Sequence, residues 1–427
     1  MKKHHYPKLN ETIYETTLDQ GLKTILIHKP GFAKTYVSLS APLGSIHQGY
    51  LDQDNQKVKT PSGLAHFLEH KIFENEARDI SKDFSLDEAQ INAFTEHHQT
   101  TYLFSATNHI ITNTKRLIEM FFYPKFSQKG VEKEKDIIKE ELNMHLDDPY
   151  YLQYQRLIKN IYHHHPIKED ILGTEQSIDA MDLKTLKTMH QAYYQPQASQ
   201  LIIVSAMEPK ALFETLNTIK LPQNTALKPW PFNPSDEPSS VAKSHETMAL
   251  DVQMPSVLLG IKLPVDKAAT QAQRRKDKIA LTMLFDILFG KGSDLYETWI
   301  SHGLINDSYG LDIAYEKDFA YLLIGSESTQ PQKFLKALQK ALLEIAQMPL
   351  QSEALNRIKK GMHGSFIQGL DNMESLAYQF CETLVDDFIY YDTLDILNTI
   401  ELDDLKRQCH HIQRDQIASV LVKPKAV

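Results

Sequence analysis

Residues 63–74 read GLAHFLEHKIFE, and this short stretch determines how the rest of the chain is interpreted. Its apolar residues recur at helical spacing, which predicts an α-helix over residues 62–74. His66 and His70 are four residues apart, so they lie about 40° from each other around the helix and one turn apart along it. Two imidazoles placed in this way can bind one zinc ion, and H-x-x-E-H is a known zinc-binding pattern.

Glu69 lies on the flank of the same helical sector. From there its carboxylate can contact a water molecule at the metal without being a ligand, which is the geometry that a general base needs. The alternative interpretation is a pair of half-buried histidines beside a surface glutamate.

The helix predicted over residues 131–146, VEKEKDIIKEELNMHL, supplies the carboxylate that a zinc ion with two histidine ligands usually takes as its third. Glu134 and Glu141 lie about 20° apart on its apolar stripe, and buried carboxylates need a cationic partner such as zinc. About 10 Å along the axis separates them, so we assign Glu141 as the ligand and Glu134 as the acid that orients a histidine. Glu140 lies about 100° further round and is expected to be solvated.

The remaining histidines are weaker candidates. His145 falls on the same stripe, and we interpret it as a core or cleft histidine rather than a fourth ligand. His97, His98 and residues 163–165 lack the spacing of ligands on a helix, so they are expected in loops and are the fallback ligands.

Composition narrows the class of protein. The chain has 427 residues, 42% of them hydrophobic, and a net charge of −9, which indicates more than one globular domain and disfavours nucleic-acid binding. Two cysteines, Cys381 and Cys409, exclude a disulfide scaffold and a cysteine-rich zinc module. The first residues lack the apolar region of a signal peptide, and no apolar run approaches about 18 residues. These features predict a cytoplasmic protein that does not associate with membranes.

The order of strand and helix signals predicts an α+β protein in two halves. We expect an N-terminal domain at residues 1–221, a linker at 222–245 that is rich in Pro, Asn and Ser, and a C-terminal domain at 246–427. In the first half, strands are predicted at 12–17, 22–28, 36–43, 100–106 and 200–206, and helices at 113–122, 130–146 and 209–219.

The second half repeats the pattern of the first. Residues 101–128 and 320–347 each read as a strand, a short turn and an amphipathic helix, and IASVLVKP at 417–424 corresponds to QLIIVSAMEP at 200–209. We therefore predict two duplicated α+β domains, each a mostly antiparallel sheet with helices packed on it. The alternative is an unrelated second domain.

Placing Phe289 opposite Phe73 aligns a helix at residues 278–290 with the histidine helix. The alignment sets Thr282 against His66, Phe285 against Glu69 and Asp286 against His70. A phenylalanine cannot hold a water molecule, so the second half is expected to bind no catalytic metal.

Four segments together resemble the pitrilysin/insulinase-type (M16) zinc metallopeptidases. They are GLAHFLEHKIFE at 63–74, INAFTEHHQTTYLFS at 91–105, VEKEKDIIKEEL at 131–142 and YYQPQASQLIIVSA at 193–206. The likeness extends over about residues 12–220 and is greatest to the bacterial YmfH-like subgroup. It implies two homologous halves that form a clamshell.

The resemblance also implies a role for each candidate residue. His66, His70 and Glu141 become the Zn²⁺ ligands, Glu69 the base, and Glu134 the supporting acid, in agreement with the helical geometry. The implied reaction is zinc-dependent endopeptidase hydrolysis of peptides or unfolded segments through a metal-activated water.

A further matching segment concerns the substrate. Asn92, Ala93, Phe94 and Thr95 match the N-A-x-T segment of the family, which implies a strand whose exposed edge pairs with the peptide backbone. Main-chain hydrogen bonds of this kind accept many sequences.

The second half departs from the family pattern. The resemblance leads us to expect an arginine and a tyrosine near R-x-x-x-G-L-x-Y, but residues 295–310 read LYETWISHGLINDSYG without the arginine. Tyr309 is the candidate for the tyrosine role, with shifted spacing. The missing arginine puts transition-state support in doubt.

Two other functions compete with the peptidase hypothesis. The first is a non-catalytic or partner-dependent peptide-binding or scaffold subunit of the same family, and the second is a domain with a purely structural zinc. The intact ligand set argues against the first, because the resemblance implies that non-catalytic subunits of the family usually lose these ligands. Three ligands plus a base argue against the second, because structural zinc sites use four protein ligands. The resemblance implies a peptide substrate and, as partner, a second copy of the chain or a homologue that lacks the motif.

Overall fold

The computed structural model describes residues 1–75, 78–230, 237–382, 384, 388–409 and 412–425. Its strands are β1 (Lys2–Tyr6), β2 (Glu11–Thr17), β3 (Lys23–His28), β4 (Thr35–Ala41), β5 (Gly49–Leu51), β6 (Lys57–Lys59), β7 (Glu74–Asn75), β8 (Arg78–Asp79), β9 (Gln90–Thr95), β10 (Thr100–Ala106), β11 (Gln200–Ser205), β12 (Lys228–Pro229), β13 (Glu246–Leu250), β14 (Ser256–Lys262), β15 (Gly310–Tyr315), β16 (Ala320–Glu327) and β17 (Ile417–Pro424).

The helices follow the same order along the chain. They are α1 (Leu64–Ile72), α2 (Ser81–Leu86), α3 (Ile110–Phe122), α4 (Gln128–Leu146), α5 (Pro149–Ile161), α6 (Glu175–Asp179), α7 (Leu183–Tyr193), α8 (Pro209–Leu216), α9 (Gln271–Phe289), α10 (Asp294–Ser301), α11 (Pro331–Leu343), α12 (Ser352–Gly369), α13 (Met373–Cys381), α14 (Thr393–Thr399) and α15 (Leu402–Cys409).

These elements form two units, each assembled from three separate segments of the chain. Unit 1 comprises Met1–Asn143, Glu169–Asn233 and Ile367–Tyr391, and unit 2 comprises Met144–Lys168, Pro234–Phe366 and Asp392–Val427. Each unit therefore includes a helix from the other half of the sequence: α13 belongs to unit 1, and α5 belongs to unit 2. The boundaries at 221 and 245, and the linker role of the segment between them, stay a prediction.

Unit 1 is built on a seven-stranded sheet with the order β1-β2-β3-β11-β4-β10-β9. Its two central strands, β4 and β11, are buried along their whole length. Helices cover both faces of the sheet there, which suits the continuous apolar run at 201–204 in β11, whereas β4 alternates apolar residues with Ser38 and Ser40. Helix α3 packs on β4 and β10, and α13 packs on β4 and β11. The edge strand β9, next to the histidine helix α1, is only partly buried.

Unit 2 repeats five strands of that sheet in the order β13-β17-β14-β16-β15. The corresponding five strands of unit 1 are β3-β11-β4-β10-β9, and in both sets of five the first pair is parallel and the next three pairs are antiparallel. Helix α5 packs on β14 and β17, and Gly260 of β14 allows its close approach, because a Cβ there would overlap Ile161. The predicted fold class, two homologous α+β halves with largely antiparallel sheets, is confirmed.

Most predicted elements of the first half occur within a few residues of their expected ends. Helix α1 begins at residue 64, two residues after the predicted start at 62. The reason is that Gly63 precedes it with φ +81°, a conformation that non-glycine residues rarely adopt. Helix α9 begins seven residues before the predicted 278, since the side chain of Thr270 caps it by accepting a hydrogen bond from the Gln273 amide. That first part, QAQRRKDK, is polar and therefore carries no helical period of apolar residues.

The predicted linker at 222–245 lies partly outside the described residues, at positions 231–236. Its described part includes β12, which pairs with β5 in unit 1. None of the helices in the described ranges is both long and apolar enough to cross a lipid bilayer. The cytoplasmic location stays a prediction.

A buried carboxylate organises one loop of unit 2. Glu237 accepts hydrogen bonds from the backbone amides of His163, His164 and His165 at 2.9, 2.7 and 2.8 Å, and it forms an ion pair with Lys262. Burial alone would raise the pKa of Glu237, but the Lys262 ammonium and the backbone donors lower the pKa to about 2. The charged carboxylate is therefore the form that the folded state requires.

We expect Glu237→Gln to lower the free energy of unfolding at neutral pH by about 3 kcal/mol, because it leaves Lys262 buried without its carboxylate. The lowered pKa means that the stabilisation is complete above the ordinary value of 4.5 and is lost as the pH falls towards about 2. Denaturant unfolding over this range should show the difference from the unsubstituted protein shrinking at low pH. Glu214→Gln, which removes an exposed pair with Lys210, is the matched control and should have little effect at any pH. A difference that is constant from pH 7 to 2 would contradict this assignment.

Candidate metal centre

Helices α1 and α4 carry the predicted metal-binding residues. On α1, His66 and Glu69 are only 8% and 9% exposed, since most of this short helix is buried against the core. On α4, Val131, Ile138 and Leu142 are buried and anchor one face of the helix. The adjoining positions Glu134 and Glu141 are half-buried, as the helical geometry predicted. Ile137, which we had included in the apolar stripe, is instead 39% exposed.

The three predicted ligands come together in space. His66 Nε2 lies 3.6 Å from one carboxylate oxygen of Glu141, and His70 Nε2 lies 3.6 Å from the other. The two imidazole rings are 4.6 Å apart, and the ligand atoms of all three residues fall within 4.8 Å of one another. In the described ranges, no second group of three such side chains comes together.

These distances suit a shared metal ion. Ligands about 2.1 Å from a tetrahedral zinc ion are roughly 3.4 Å from each other. The observed 3.6 Å is close to that separation and exceeds the normal length of an N–H···O hydrogen bond. Two imidazole nitrogens and one carboxylate are also a donor set that zinc prefers, and they leave a fourth position for water or substrate.

Glu134 supports the metal-binding residues without joining them. Its Oε1 lies 3.1 Å from Nδ1 of His70, where the carboxylate can only accept. His70 therefore donates from Nδ1 and keeps the lone pair of Nε2 directed towards Glu141. Burial alone would raise the pKa of Glu134, but the hydrogen bond from His70 and the charge of Lys71 outweigh burial and lower the pKa.

Sequence analysis missed Lys71, which is fully buried at the end of α1 with 1% of its surface exposed. Its ammonium lies 3.3 Å from Oε2 of Glu134 and forms an ion pair with Glu74. Burial lowers the pKa of Lys71, and Glu134 acts in the opposite direction. The available signal was the spacing of Lys71 and Glu74, which are three residues apart within the predicted helix 62–74 and would be neighbours on its surface. In the structure, α1 ends at Ile72 and Glu74 lies in β7.

Glu69 is held in place by a residue of the edge strand β9. The hydroxyl of Thr95 donates to Oε2 of Glu69 at 2.5 Å. Burial raises the pKa of Glu69, while the Thr95 hydrogen bond and the nearby His70 partly counteract the rise. A carboxylate with a raised pKa is a better proton acceptor, so the position and environment of Glu69 fit a general base.

The predicted substrate-binding segment lies at the edge of the sheet. Strand β9 pairs with β10 and is the last strand in the order of that sheet. The amide of Ala93 donates to the side chain of Asn92 at 2.9 Å, so it points away from β10. Phe94 lies on the opposite face from Thr95, with its ring 5.6 Å from that of Tyr378 in α13. A cleft of about 810 Å³ is lined by Asn92 and Ala93 together with Glu69, His70 and Glu134.

Several other candidate residues lie elsewhere. The ring of His145 is 4.8 Å from that of Tyr151 in unit 2, and His97 Nδ1 lies 2.9 Å from the Ser45 hydroxyl. Tyr309 is buried within unit 2, where its hydroxyl donates to the backbone oxygen of Phe289 at 2.8 Å. Its predicted contribution to the metal centre stays a prediction.

The predicted counterpart of α1 in unit 2 is α9. In α9, Thr282 donates its hydroxyl to the backbone oxygen of Lys278, and Phe285 is fully buried and stacks on Phe289 at 5.3 Å. Asp286, which the alignment sets against His70, is a carboxylate. The expectation that this half binds no catalytic metal stays a prediction.

Family models match both halves of the chain. Residues 23–175 match the model of insulinase (peptidase family M16), and residues 180–362 match the model of the peptidase M16 inactive domain.

Similar proteins include several that carry the name of zinc proteases. The uncharacterized zinc protease YmfH of Bacillus subtilis is 31% identical, with the whole of both chains aligned. The zinc protease PqqE of Helicobacter pylori is 23% identical over 93% of this chain and 91% of its own. The crystal structure of an M16-like peptidase from Alicyclobacillus acidocaldarius aligns with a TM-score of 0.90 and 26% identity, covering 97% of this chain and 99% of that one.

Together, the repeated α+β fold and the inverted H-x-x-E-H site define an M16-type architecture. The chain belongs to the insulinase-type M16 peptidase family.

The geometry predicts which variants lose metal. His66→Ala, His70→Ala and Glu141→Ala should each lower the zinc content of the purified protein from one ion per chain, because each removes one of three ligands. Glu140→Ala is the matched control, since Glu140 is exposed on the neighbouring position of α4 and should leave the zinc content unchanged. The measurement is metal analysis by mass spectrometry after dialysis. Loss of zinc from Glu140→Ala, or full zinc in Glu141→Ala, would contradict the assigned ligands.

Proposed function

We propose that this protein is a zinc-dependent endopeptidase that hydrolyses peptides or unfolded segments. The observation that carries the proposal is the convergence of His66, His70 and Glu141 with Glu69 beside them. Names of relatives such as the zinc proteases YmfH and PqqE support the same activity.

Zinc would be held by His66, His70 and Glu141. When bound there, the ion would act as a Lewis acid that polarises the carbonyl group of the scissile bond and lowers the pKa of water. The role of Glu134 is to orient His70 through the Nδ1 hydrogen bond, so that the imidazole offers its Nε2 to the metal.

Glu69 is the base in this proposal. Its carboxylate accepts a proton from the water molecule that attacks the peptide carbonyl carbon. It then transfers the proton to the amine nitrogen as the C–N bond breaks, so that water is added across the bond. The hydrogen bond from Thr95 restricts the rotation of the carboxylate and keeps it directed into the cleft.

Strand β9 would bind the substrate as an added antiparallel strand. The outward amide of Ala93 and the cleft it shares with Glu69 and His70 support this role. Recognition through the backbone accepts many side chains, which is consistent with hydrolysis of varied peptides. The chain's partner in this proposal is therefore a peptide segment. A second copy of the chain or a homologous subunit remains a further proposal.

The decisive test compares Glu69→Gln with the unsubstituted protein. We expect the variant to keep one zinc ion per chain and to lose turnover of a mixed peptide library by roughly 10²–10⁴-fold, because glutamine cannot accept the proton. Mass spectrometry of the digest, with and without a chelator, measures cleavage, and metal analysis measures zinc.

The same experiment separates the two candidate functions. Undiminished hydrolysis by zinc-loaded Glu69→Gln would contradict the assigned base. A zinc-loaded, folded, unsubstituted protein that binds peptides but cleaves none of them would instead indicate the non-catalytic scaffold subunit.

A second variant tests the substrate strand. Ala93→Pro removes the outward amide of β9, and proline is tolerated on edge strands where the N–H faces away from the neighbour. Losing one main-chain hydrogen bond to the peptide should raise KM by up to about tenfold, with zinc content unchanged. Unchanged KM in a stable, zinc-loaded Ala93→Pro protein would contradict strand addition at this position.

A further inference from the structure

The buried ammonium of Lys71 lies between two carboxylates beside the metal centre. Its Nζ is 3.3 Å from Oε2 of Glu134 and is paired with Glu74 on the other side. Only 1% of its surface is exposed, so water cannot replace these partners. A lysine is rarely buried to this extent unless it is paired with opposite charges.

The surroundings of Glu74 are built to accept its carboxylate. The hydroxyl of Ser127, directly before α4, donates a hydrogen bond to Oε1 of Glu74 at 3.1 Å. The same hydroxyl accepts a hydrogen bond from the backbone amide of Gly130 at 3.0 Å. Gly130 has no side chain, and a Cβ there would overlap the Glu74 carboxylate. The position of Glu74, and through it the position of the Lys71 ammonium, is therefore set by the first turn of α4.

The two oxygens of Glu134 have separate partners. Oε1 faces Nδ1 of His70 at 3.1 Å, and Oε2 faces the Lys71 ammonium. With both oxygens engaged, the carboxylate cannot rotate about its last side-chain bond. Without Lys71, Oε2 would lose its cation and the carboxylate would be free to turn away from His70.

We propose that Lys71 is a positioning residue of the metal centre, acting through Glu134 to keep Nε2 of His70 directed at the ion. The proposal rests on the proposed function only in taking zinc as the ion, and it needs no peptidase activity for its test. In this proposal Lys71 does not merely connect α1 to α4; it also fixes the orientation of His70 through Glu134.

Removing Lys71 would change the affinity for zinc in two opposite directions, so the direction of the measured change is informative. Loss of a nearby positive charge alone would strengthen the binding of a cation, because like charges repel. Loss of the orientation of Glu134 would weaken binding, because partners that orient a ligand typically contribute 10–100-fold to metal affinity. The direction of the change therefore distinguishes a positioning residue from a charge that acts only at a distance.

The experiment measures the zinc dissociation constant by competition with a chromophoric chelator in the full-length protein. We expect Lys71→Met to raise this constant about tenfold and to change the visible absorption spectrum of the Co²⁺-loaded protein, which reports ligand geometry. Lys71→Gln, which keeps a donor without the charge, serves as the second variant if Lys71→Met does not fold, and a smaller increase is expected.

Two controls separate positioning from simple destabilisation. Lys262→Met removes another buried lysine that is paired with a glutamate, in unit 2, and should leave the zinc constant and the Co²⁺ spectrum unchanged. In a Glu134→Gln background, Lys71→Met should not weaken zinc binding further, because the path through Glu134 is already broken and only the loss of the nearby positive charge remains.

Tighter zinc binding by both folded Lys71 variants, or a zinc constant and Co²⁺ spectrum equal to those of the unsubstituted protein, would overturn the proposal while leaving the zinc site intact. A full effect of Lys71→Met in the Glu134→Gln background would overturn the assigned path. Absence of zinc binding by the unsubstituted protein would overturn both this inference and the proposed function.

Discussion

Electrostatics between α1 and α4 constrain this molecule more than any other interaction. Four carboxylates lie near this contact: Glu74 and Glu134 flank the fully buried ammonium of Lys71, Glu141 faces His66 and His70, and Glu69 accepts a hydrogen bond from Thr95. Desolvating each carboxylate costs several kcal/mol unless a cation offsets it. A divalent metal at the two histidines would supply that compensation, so the catalytic proposal and the packing of the two helices depend on the same charges.

Other contacts within unit 1 hold these charged residues in place. The buried faces of α1 and α4 fix the helices to the core, and Thr95 of β9 connects the sheet edge to Glu69. The residue that orients the candidate base is therefore part of the strand on which a peptide would pair. In the proposed function, this single hydrogen bond would link the peptide-binding strand to the base, so a shift of the strand would also move Glu69.

Unit 2 repeats the sheet of unit 1 with other residues at the aligned helical positions. Its five strands repeat the order and directions of β3, β11, β4, β10 and β9, and α9 is the predicted counterpart of the candidate metal-binding helix α1. At the position that the alignment sets against Glu69, Phe285 is fully buried and stacks on Phe289. Phenylalanine carries no charge and needs no cation there, whereas Thr282 and Asp286, at the other two aligned positions, are polar.

The sequence by itself determined the fold class, the duplication and the candidate metal-binding residues, because helical periodicity places His66, His70 and Glu141 on definite faces without further information. Only the tertiary structure brought Lys71 into contact with Glu134, Glu74 into contact with Ser127, and Thr95 into contact with Glu69. Those contacts join elements that are distant along the chain, and periodicity within one helix carries no information about what faces it. The exchange of α5 and α13 between units was likewise undetermined by local pattern, because an amphipathic helix specifies that one face is buried but not which sheet buries it.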